Sequence, residues 1–429
     1  MTKAIRGWQR TTLVFAALAV WAGLSAQTAM AAIVYVGTCV AHVPQYSTIT
    51  LAVNAVSPGS TIRVCPGTYP EQVVINKNLT LTGYASGSAD NPVVVIPSGG
   101  FVPNTVTLTN GGAIAAQILV EYPATDVTIR NLAVDGSNSN LNNGCGDPPL
   151  IGVYYEGASG KIESVAVRNQ AQNAENFGCQ SSAALGILVE SGNSENSTVR
   201  IENSTVHGFQ KNGITANEAG TAVAITGNSV IGAGPVNTGQ NGIQVAFGAT
   251  GSVENNIVGD VDFNGDPSEG TATGILVYGS GGMTIRGNSV SNTQSGIATV
   301  TADTFTADRN QITNNLVTNT HLGDGIDACS NSNFIGRNTV STSDESGIHL
   351  DGSCGSTGSS NVVFRNAVNE ACAAILQGGS SNAIFFNTYA NVANTTLAGD
   401  VCSEVTPSVD RQLKTQITAK GHHYIPARP

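Results

Sequence analysis

Apolar and polar positions recur along this chain with a long period. From Ile187 onward, a small residue and an Ile are followed by an alternating apolar position. A Gly, Ser or Asn cluster comes next, then an apolar pair, then Asn-x-Val. Gly325-Ile326 leads to Asn338-Thr339-Val340, Gly347-Ile348 to Asn366-Ala367-Val368, and Ala374-Ile375 to Asn387-Thr388-Tyr389. The Ile positions are Ile187, Ile214, Ile243, Ile275, Ile297, Ile326, Ile348 and Ile375, in steps of 22 to 32 residues. A second series, Asn203, Asn228, Asn256, Asn288, Asn315, Asn338, Asn366 and Asn387, keeps similar steps. Self-similarity at this period marks a stacked repeat architecture. The apolar segments are short and rich in Val, Ile and Thr, with Gly and Asn between them, which is strand-and-turn chemistry. The expected fold is all-β, a right-handed parallel β-helix, or solenoid.

Alternation along each strand then sets which side chains face the core. With Ile326 inward, Asp327 points outward and Ala328 inward. With Ile348 inward, His349 points outward and Leu350 inward. The Gly before each Ile suits a tight entry into the strand. The rung Asn suits a turn residue in the left-handed region and can hydrogen-bond from coil to coil, so it is given a structural role and no chemistry.

The N-terminal part reads differently. Residues 1–31 have a basic start (Lys3, Arg6, Arg10), an apolar stretch Thr12 to Gly23, and a small-x-small site at Ala29-Met30-Ala31. This is a secretory signal peptide pattern. Residues 32–70 are expected to cap the solenoid. Ile33 to Val36 is a strand, and Ser47 to Val56 carries a helical apolar face N-capped by Ser47 and ended by Pro58-Gly59. Thr61 to Val64 is a strand, and Pro66 to Tyr69 a turn. The solenoid is assigned to residues 71–402, and 403–429 to a tail that is either disordered or a C-terminal cover.

The run Ser47-Thr48-Ile49, Ala52-Val53-Asn54-Ala55, Ser57-Pro58-Gly59-Ser60-Thr61-Ile62-Arg63-Val64 and Pro66-Gly67-Thr68-Tyr69-Pro70-Glu71 resembles the opening of pectin-lyase-like proteins. So does Val73 to Gly83. The resemblance spans roughly residues 33 to 400. It implies a right-handed parallel β-helix with a helical N-terminal cap, and an activity drawn from lyases, esterases, hydrolases, epimerases or non-catalytic proteins.

Composition narrows the partners. The net charge is −11, and removing the signal peptide takes three basic residues and no acidic one. An acidic chain with few basic clusters is a poor ligand for nucleic acid or anionic membranes, and no later apolar run could span a bilayer. A secreted or periplasmic monomer is expected, with an extracellular polysaccharide as partner. Both tryptophans lie in the signal peptide, which argues against a dedicated sugar-binding module built on Trp. The eight cysteines all lie beyond it. An even count in an exported chain points to disulfides. The coil arrangement pairs neighbours: Cys39–Cys65, Cys145–Cys179, Cys329–Cys354 and Cys372–Cys402. No C-x-x-C spacing supports a structural zinc.

Candidate chemistry centres on Asp327, His349 and Asp351, outward residues of neighbouring coils about 5 Å apart. A carboxylate beside an imidazole is a workable acid–base pair. Asp327 with Asp351 is alternatively a Ca²⁺ site, since Ca²⁺ prefers several carboxylate oxygens; no other cofactor is indicated. Arg337 and Arg365, on the same coils, are candidates for holding a substrate carboxylate. Asp324 is placed on the opposite face by strand parity unless the chain bulges at Gly325. The plain alternative is that these residues are a solvated face braced by Cys329–Cys354. Tyr154 and Tyr155, between the loops 136–150 and 169–184, are either one core and one surface tyrosine or a groove wall that stacks on sugars. Gly259-Asp260-Val261-Asp262-Phe263 is similar to the G-x-V-D-F stretch of pectin methylesterases, which would make Asp262 catalytic; otherwise it is an exposed turn. The remaining motifs of that family, and the matched carboxylates of glycosidases, are not recognisable. The functional reading is lyase or epimerase action on a uronate-containing polymer. The alternative is a non-catalytic surface or periplasmic scaffold. Copper-site assembly is a third class, weakened by sparse soft ligands, and His422-His423 is a weak metal pair or incidental.

Overall fold

In the computed structural model the Ile series forms one continuous column. The structure describes residues 30–84, 90–137, 139, 144–171, 180, 184–265, 270–302, 304–399, 402 and 423–428. Ile187 pairs with Ile214, and the register continues through Ile243, Ile275, Ile297, Ile326 and Ile348 to Ile375. All eight are fully buried. Each coil contributes three strands to three parallel ribbons. In one coil these are Thr284–Arg286, Ser289–Thr293 and Ser295–Val300. The second and third strands merge in the last coils, where Thr339–Leu350, Ala367–Gln377 and Thr388–Ala398 run unbroken. Inside, Ile, Val and Leu from all three ribbons make one core running the length of the solenoid.

The corner before the second ribbon is held by the Asn series. Asn228 donates to Asn256, which donates to Asn288, then Asn315, Asn338, Asn366 and Asn387, with each amide Oδ1 also accepting a backbone N–H of the preceding coil. These Asn residues are not the left-handed ones. The residue before each takes that conformation: Asn255 (φ 54°), Gly287 (φ 67°), Asn314 (φ 56°), Arg337 (φ 58°) and Arg365 (φ 54°). Asn203 is likewise a left-handed residue (φ 49°), and Ser204 takes its expected place on the ladder by donating its N–H to Asn228 Oδ1. A shorter ladder, Asn310, Asn333, Asn361 and Asn382, supports another corner.

Glycine precedes seven of the eight Ile, Ala374 being the exception, for a reason of space. A Cβ on Gly325 would lie 2.2 Å from Val340 Cγ1, and one on Gly347 would lie 2.3 Å from Val368 Cγ1. The Val of Asn-x-Val therefore packs where the Gly side chain would be. The small residue before Ile and the Val of Asn-x-Val are two halves of one contact.

The solenoid is capped by the helix Ile49–Ala55. Its N-cap is Thr48, one residue later than expected, whose side chain accepts from the Leu51 N–H. Glu71 adds a carboxylate at the same helix end, accepting from the N–H groups of Ile49 (2.8 Å) and Thr50 (2.9 Å). Anionic groups are stabilising there. Where a turn was expected at Pro66 to Tyr69, Gly67–Pro70 is a strand paired with Pro92–Val95. Disulfides join Cys39 to Cys65, Cys329 to Cys354 and Cys372 to Cys402. Cys145 is also disulfide-bonded; Cys179, its expected partner, lies outside the described residues, as do the signal-peptide residues 1–29. No helix among the described residues is long and apolar enough to cross a membrane.

Two substitutions test this register. Asn315→Ala strips bonds from the Asn288 N–H and amide, from the Ile285 carbonyl and from Asn338. It should lower unfolding free energy by about 3 kcal/mol in urea denaturation, the cost of buried polar groups left unpaired. Gly325→Ala should cost about 2 kcal/mol through overpacking against Val340.

Candidate active site

The outward face of the third ribbon carries a second continuous column. Leu119, Tyr154, Leu188, Thr215, Gln244, Leu276, Ala298, Asp327, His349 and Leu376 lie in register, one per coil. Asp327 and His349 are thus outward neighbours. They are not solvated: Asp327 is 0% and His349 2% exposed. The expectation of a solvent-exposed polar face fails here, because further chain covers this part of the ribbon.

Asp324 reaches the same cluster. The chain bends at Gly325, so strand parity does not apply, and Asp324 Oδ2 accepts from His349 Nδ1 at 3.0 Å. Its other oxygen accepts from the Ser346 N–H at 2.9 Å and from the Ser346 hydroxyl. One ligand-type atom each from Asp324, Asp327 and His349 falls within a 4.8 Å group. His349 Nε2 is buried with no hydrogen-bond partner among the described residues. A sequence signal for Asp324 did exist. The position two before the Ile is polar in Asn212, Asn241, Thr273, Ser295, Asp324 and Ser346, where straight alternation would demand an apolar residue.

The charge balance follows from these contacts. Burial alone would strip the proton from His349. The charge and hydrogen bond of Asp324, with Asp327 and Asp351 nearby, outweigh it and raise the imidazole to about 10. The resting cluster is therefore an imidazolium held among carboxylates. Its donors do not suit Ca²⁺, which prefers six to eight oxygens. His349 Nδ1 is already committed to Asp324, and an imidazolium offers a cation no lone pair. Asp351 is buried but aligned elsewhere: it accepts from the Ser353 N–H at 2.6 Å and groups with Cys329 and Cys354, whose sulfurs are tied in a disulfide.

The other candidates are dispersed. Arg337 and Arg365 hold left-handed corner positions after the strands Phe334–Gly336 and Val362–Phe364, where they are exposed. Arg365 stacks over Phe364 at 4.9 Å. Their side chains make no contact with the Asp324–His349 cluster, because the corner carries them away from the third ribbon. Tyr155 is a core residue whose hydroxyl donates to the Val127 carbonyl at 2.9 Å. Tyr154 shares the outward column but is fully buried, its hydroxyl donating to Glu190. Neither is an exposed wall. Asp262 sits in a strand, Ile257–Phe263, and not in a turn; burial raises its carboxyl, offset in part by His321.

The residue that sequence reasoning missed is Tyr424. Residues 423–428 lie along the outward face, and Tyr424 pairs with Thr271 in a parallel bridge. Its hydroxyl donates to Asp327 Oδ2 and lies 3.3 Å from Ser295 Oγ. Burial and the Asp327 charge raise the phenol well above its ordinary value, so it is the donor. No periodicity marks this residue, since the repeat has ended before it. His423 bonds Thr271 through its backbone N–H; His422 lies outside the described residues.

Comparison with known proteins supports the architecture. A family model described as a right-handed beta helix region matches residues 185–358 and 236–390. Among solved structures, the A-module of the mannuronan C-5 epimerase AlgE4 from Azotobacter vinelandii is similar with a TM-score of 0.54 and 13% identity, over 83% of this chain and 93% of that one. A GH136 lacto-N-biosidase from Eubacterium ramulus is similar with a TM-score of 0.51 and 11% identity, over 86% of this chain and 68% of that one. No curated protein matches the sequence.

The His349 environment predicts a pH response. A folded value of about 10 against an ordinary 6.5 gives stability that is complete below pH 6.5 and lost as pH rises through about 10. Urea midpoints measured from pH 6 to 10 should fall for the native chain, and the slope should be shallower in His349→Gln.

Proposed function

We propose that this pectin-lyase-like β-helix protein acts on an extracellular, uronate-containing polysaccharide. The observation that carries the reading is the buried triad of Asp324, His349 and Asp327 on a continuous outward column, with His349 Nε2 unpartnered. Polar groups are not placed in such a position for stability alone, since a buried imidazole nitrogen without a partner costs free energy. The disulfides fit an oxidising compartment outside the cytosol. The two similar solved structures are named for an epimerase of mannuronan and a lacto-N-biosidase, which makes carbohydrate the substrate class to test first.

The chemistry available is proton transfer next to a carboxylate. The carbon bearing a uronate carboxyl loses its proton only if the developing negative charge is balanced. The His349 imidazolium, kept charged by Asp324, supplies that balance or a proton from Nε2. Asp327, one coil away, accepts the proton removed from carbon. If His349 Nε2 then gives its proton to the opposite face of that carbon, leaving Asp327 protonated and the imidazole neutral, the outcome is epimerisation. If the glycosidic C–O bond at the adjacent carbon breaks while His349 protonates the departing oxygen, the outcome is a chain end with a new C=C bond. Asp324 is a positioning residue in both. A chain that binds polymer without changing it would be a scaffold using the same face.

The test is a panel of polygalacturonate, methylated pectin, alginate and neutral glycans, followed by unsaturated-product absorbance, methanol release, reducing ends and uronate composition. It is run on the exported chain and on the same chain ending at residue 422. Activity on an acidic polymer should fall at least about 100-fold in His349→Ala and Asp327→Asn, and remain near normal in Arg337→Ala and Arg365→Ala. Methanol release would transfer attention to Asp262. Retained polymer without product would identify the scaffold; neither product nor retention on either chain would overturn the polysaccharide reading.

A further inference from the structure

We propose that the C-terminal segment 423–428 is a built-in occupant of the polymer groove, an inhibitory strap that a polysaccharide must displace. The inference rests on the polysaccharide reading above and goes beyond it. The segment is seated by side chains of successive coils. At one end the Tyr424 hydroxyl donates to Asp327 and lies 3.3 Å from Ser295 Oγ, while the ring packs with Leu276, Ala298 and Val300. Next, Asn241 donates its amide to the Ile425 carbonyl at 3.2 Å. The Ala427 carbonyl then accepts from Asn217 and Gln244, both at 2.9 Å, and the Ala427 N–H donates to Gln244 Oε1 at 2.7 Å. At the far end Arg428 makes a two-pronged bond to Glu218, at 3.0 and 3.1 Å, and lies 4.5 Å over the Phe247 ring.

The geometry is that of a polymer laid along the solenoid axis. From the coil of Asn217 to the coil of Asp327 there are four coil steps, or about 19 Å. Four extended residue steps from Tyr424 to Arg428 cover about 13 Å, and the tyrosine side chain supplies most of the remainder. Carboxylates, Asp327 and Glu218, seat the two ends of the strap, and between them the seating groups are carboxamides and a hydroxyl. Asn212, Asn217, Asn241 and Gln244 are joined to one another by side-chain hydrogen bonds. Such groups bond peptide carbonyls and sugar hydroxyls equally well, and one coil step is close to the length of one sugar ring. The Tyr424 hydroxyl occupies the position over Asp327 that a reacting sugar would need. With the strap in place, the catalytic carboxylate is covered and committed to a phenol. Ala427 also joins the buried apolar cluster that continues through Leu188, Tyr154 and Leu119, so the strap meets apolar surface at the other end of the groove.

Three measurements decide it. The exported chain and the chain ending at residue 422 are titrated with oligogalacturonate, oligomannuronate and a neutral oligosaccharide. A labelled peptide His-Tyr-Ile-Pro-Ala-Arg-Pro is then added to both. The peptide should bind the shortened chain at least tenfold more tightly than the full chain, be displaced by the acidic oligosaccharide that binds, and the shortened chain should bind that sugar or turn it over at least tenfold better. Equal sugar binding and equal rates in the two chains overturn the strap and leave the polysaccharide reading standing. Failure of the peptide to bind the shortened chain overturns the strap as well. Peptide binding with no response to any sugar in either chain sinks the polysaccharide reading, and the inhibitory role with it. If the shortened chain does not fold, the full-length pair Tyr424→Ala with Arg428→Ala replaces it. That pair should raise sugar affinity at least threefold, and no change overturns the proposal.

Discussion

The structure depends on one constraint: every coil must repeat the register of the coil before it. Strands a coil apart share main-chain hydrogen bonds along their length, so a slip of one residue would turn the Ile column outward. Two contacts prevent the slip. The Asn ladder ties side chain to side chain and to backbone at the corner, and the Gly–Val contact closes the space between the second and third ribbons. Both are short-range and intolerant of larger or smaller groups. The remaining positions vary around them, which is why the steps between rungs run from 22 to 32 residues without disturbing the stack. Insertions fall in loops, where the only requirement is that the chain return to register.

The same register creates the candidate site. Once Ile326 and Ile348 face the core, Asp327 and His349 must be adjacent on the outer face. The chain bends at Gly325, and Asp324 accepts from His349 on that face too. Burying this many charges is tolerated because each is paired or hydrogen-bonded, an arrangement that stabilises only when satisfied. Breaking it from one side leaves an uncompensated charge, so Asp324, His349 and Asp327 act as a unit.

The C-terminal segment links stability to function on this face. Outward polar residues on a solenoid are ordinarily wetted. Here Asn217, Asn241, Gln244 and Asp327 are covered, and their hydrogen bonds are completed by six residues from the far end of the chain. These polar groups are thus out of water, which strengthens the electrostatics among them.

Much of this was legible in the sequence. The period, the Ile column, the outward placement of Asp327 and His349, and the capping helix follow from local rules: alternation, turn chemistry and the apolar face of a short helix. Sequence also held a signal for Asp324, the polar residue two before six of the eight Ile, but reading it required knowing that alternation breaks there. What tertiary structure alone decided is burial and company. Arg337 and Arg365 share coils with the site, yet the left-handed corner directs them away from it. Alternation allows Tyr154 the outward face, yet it is fully buried there with its hydroxyl on Glu190. Tyr424 reaches Asp327 across 97 residues of sequence with no pattern to announce it. Periodicity reports which side of a strand a residue occupies; it carries no information about what distant chain comes to lie against that side.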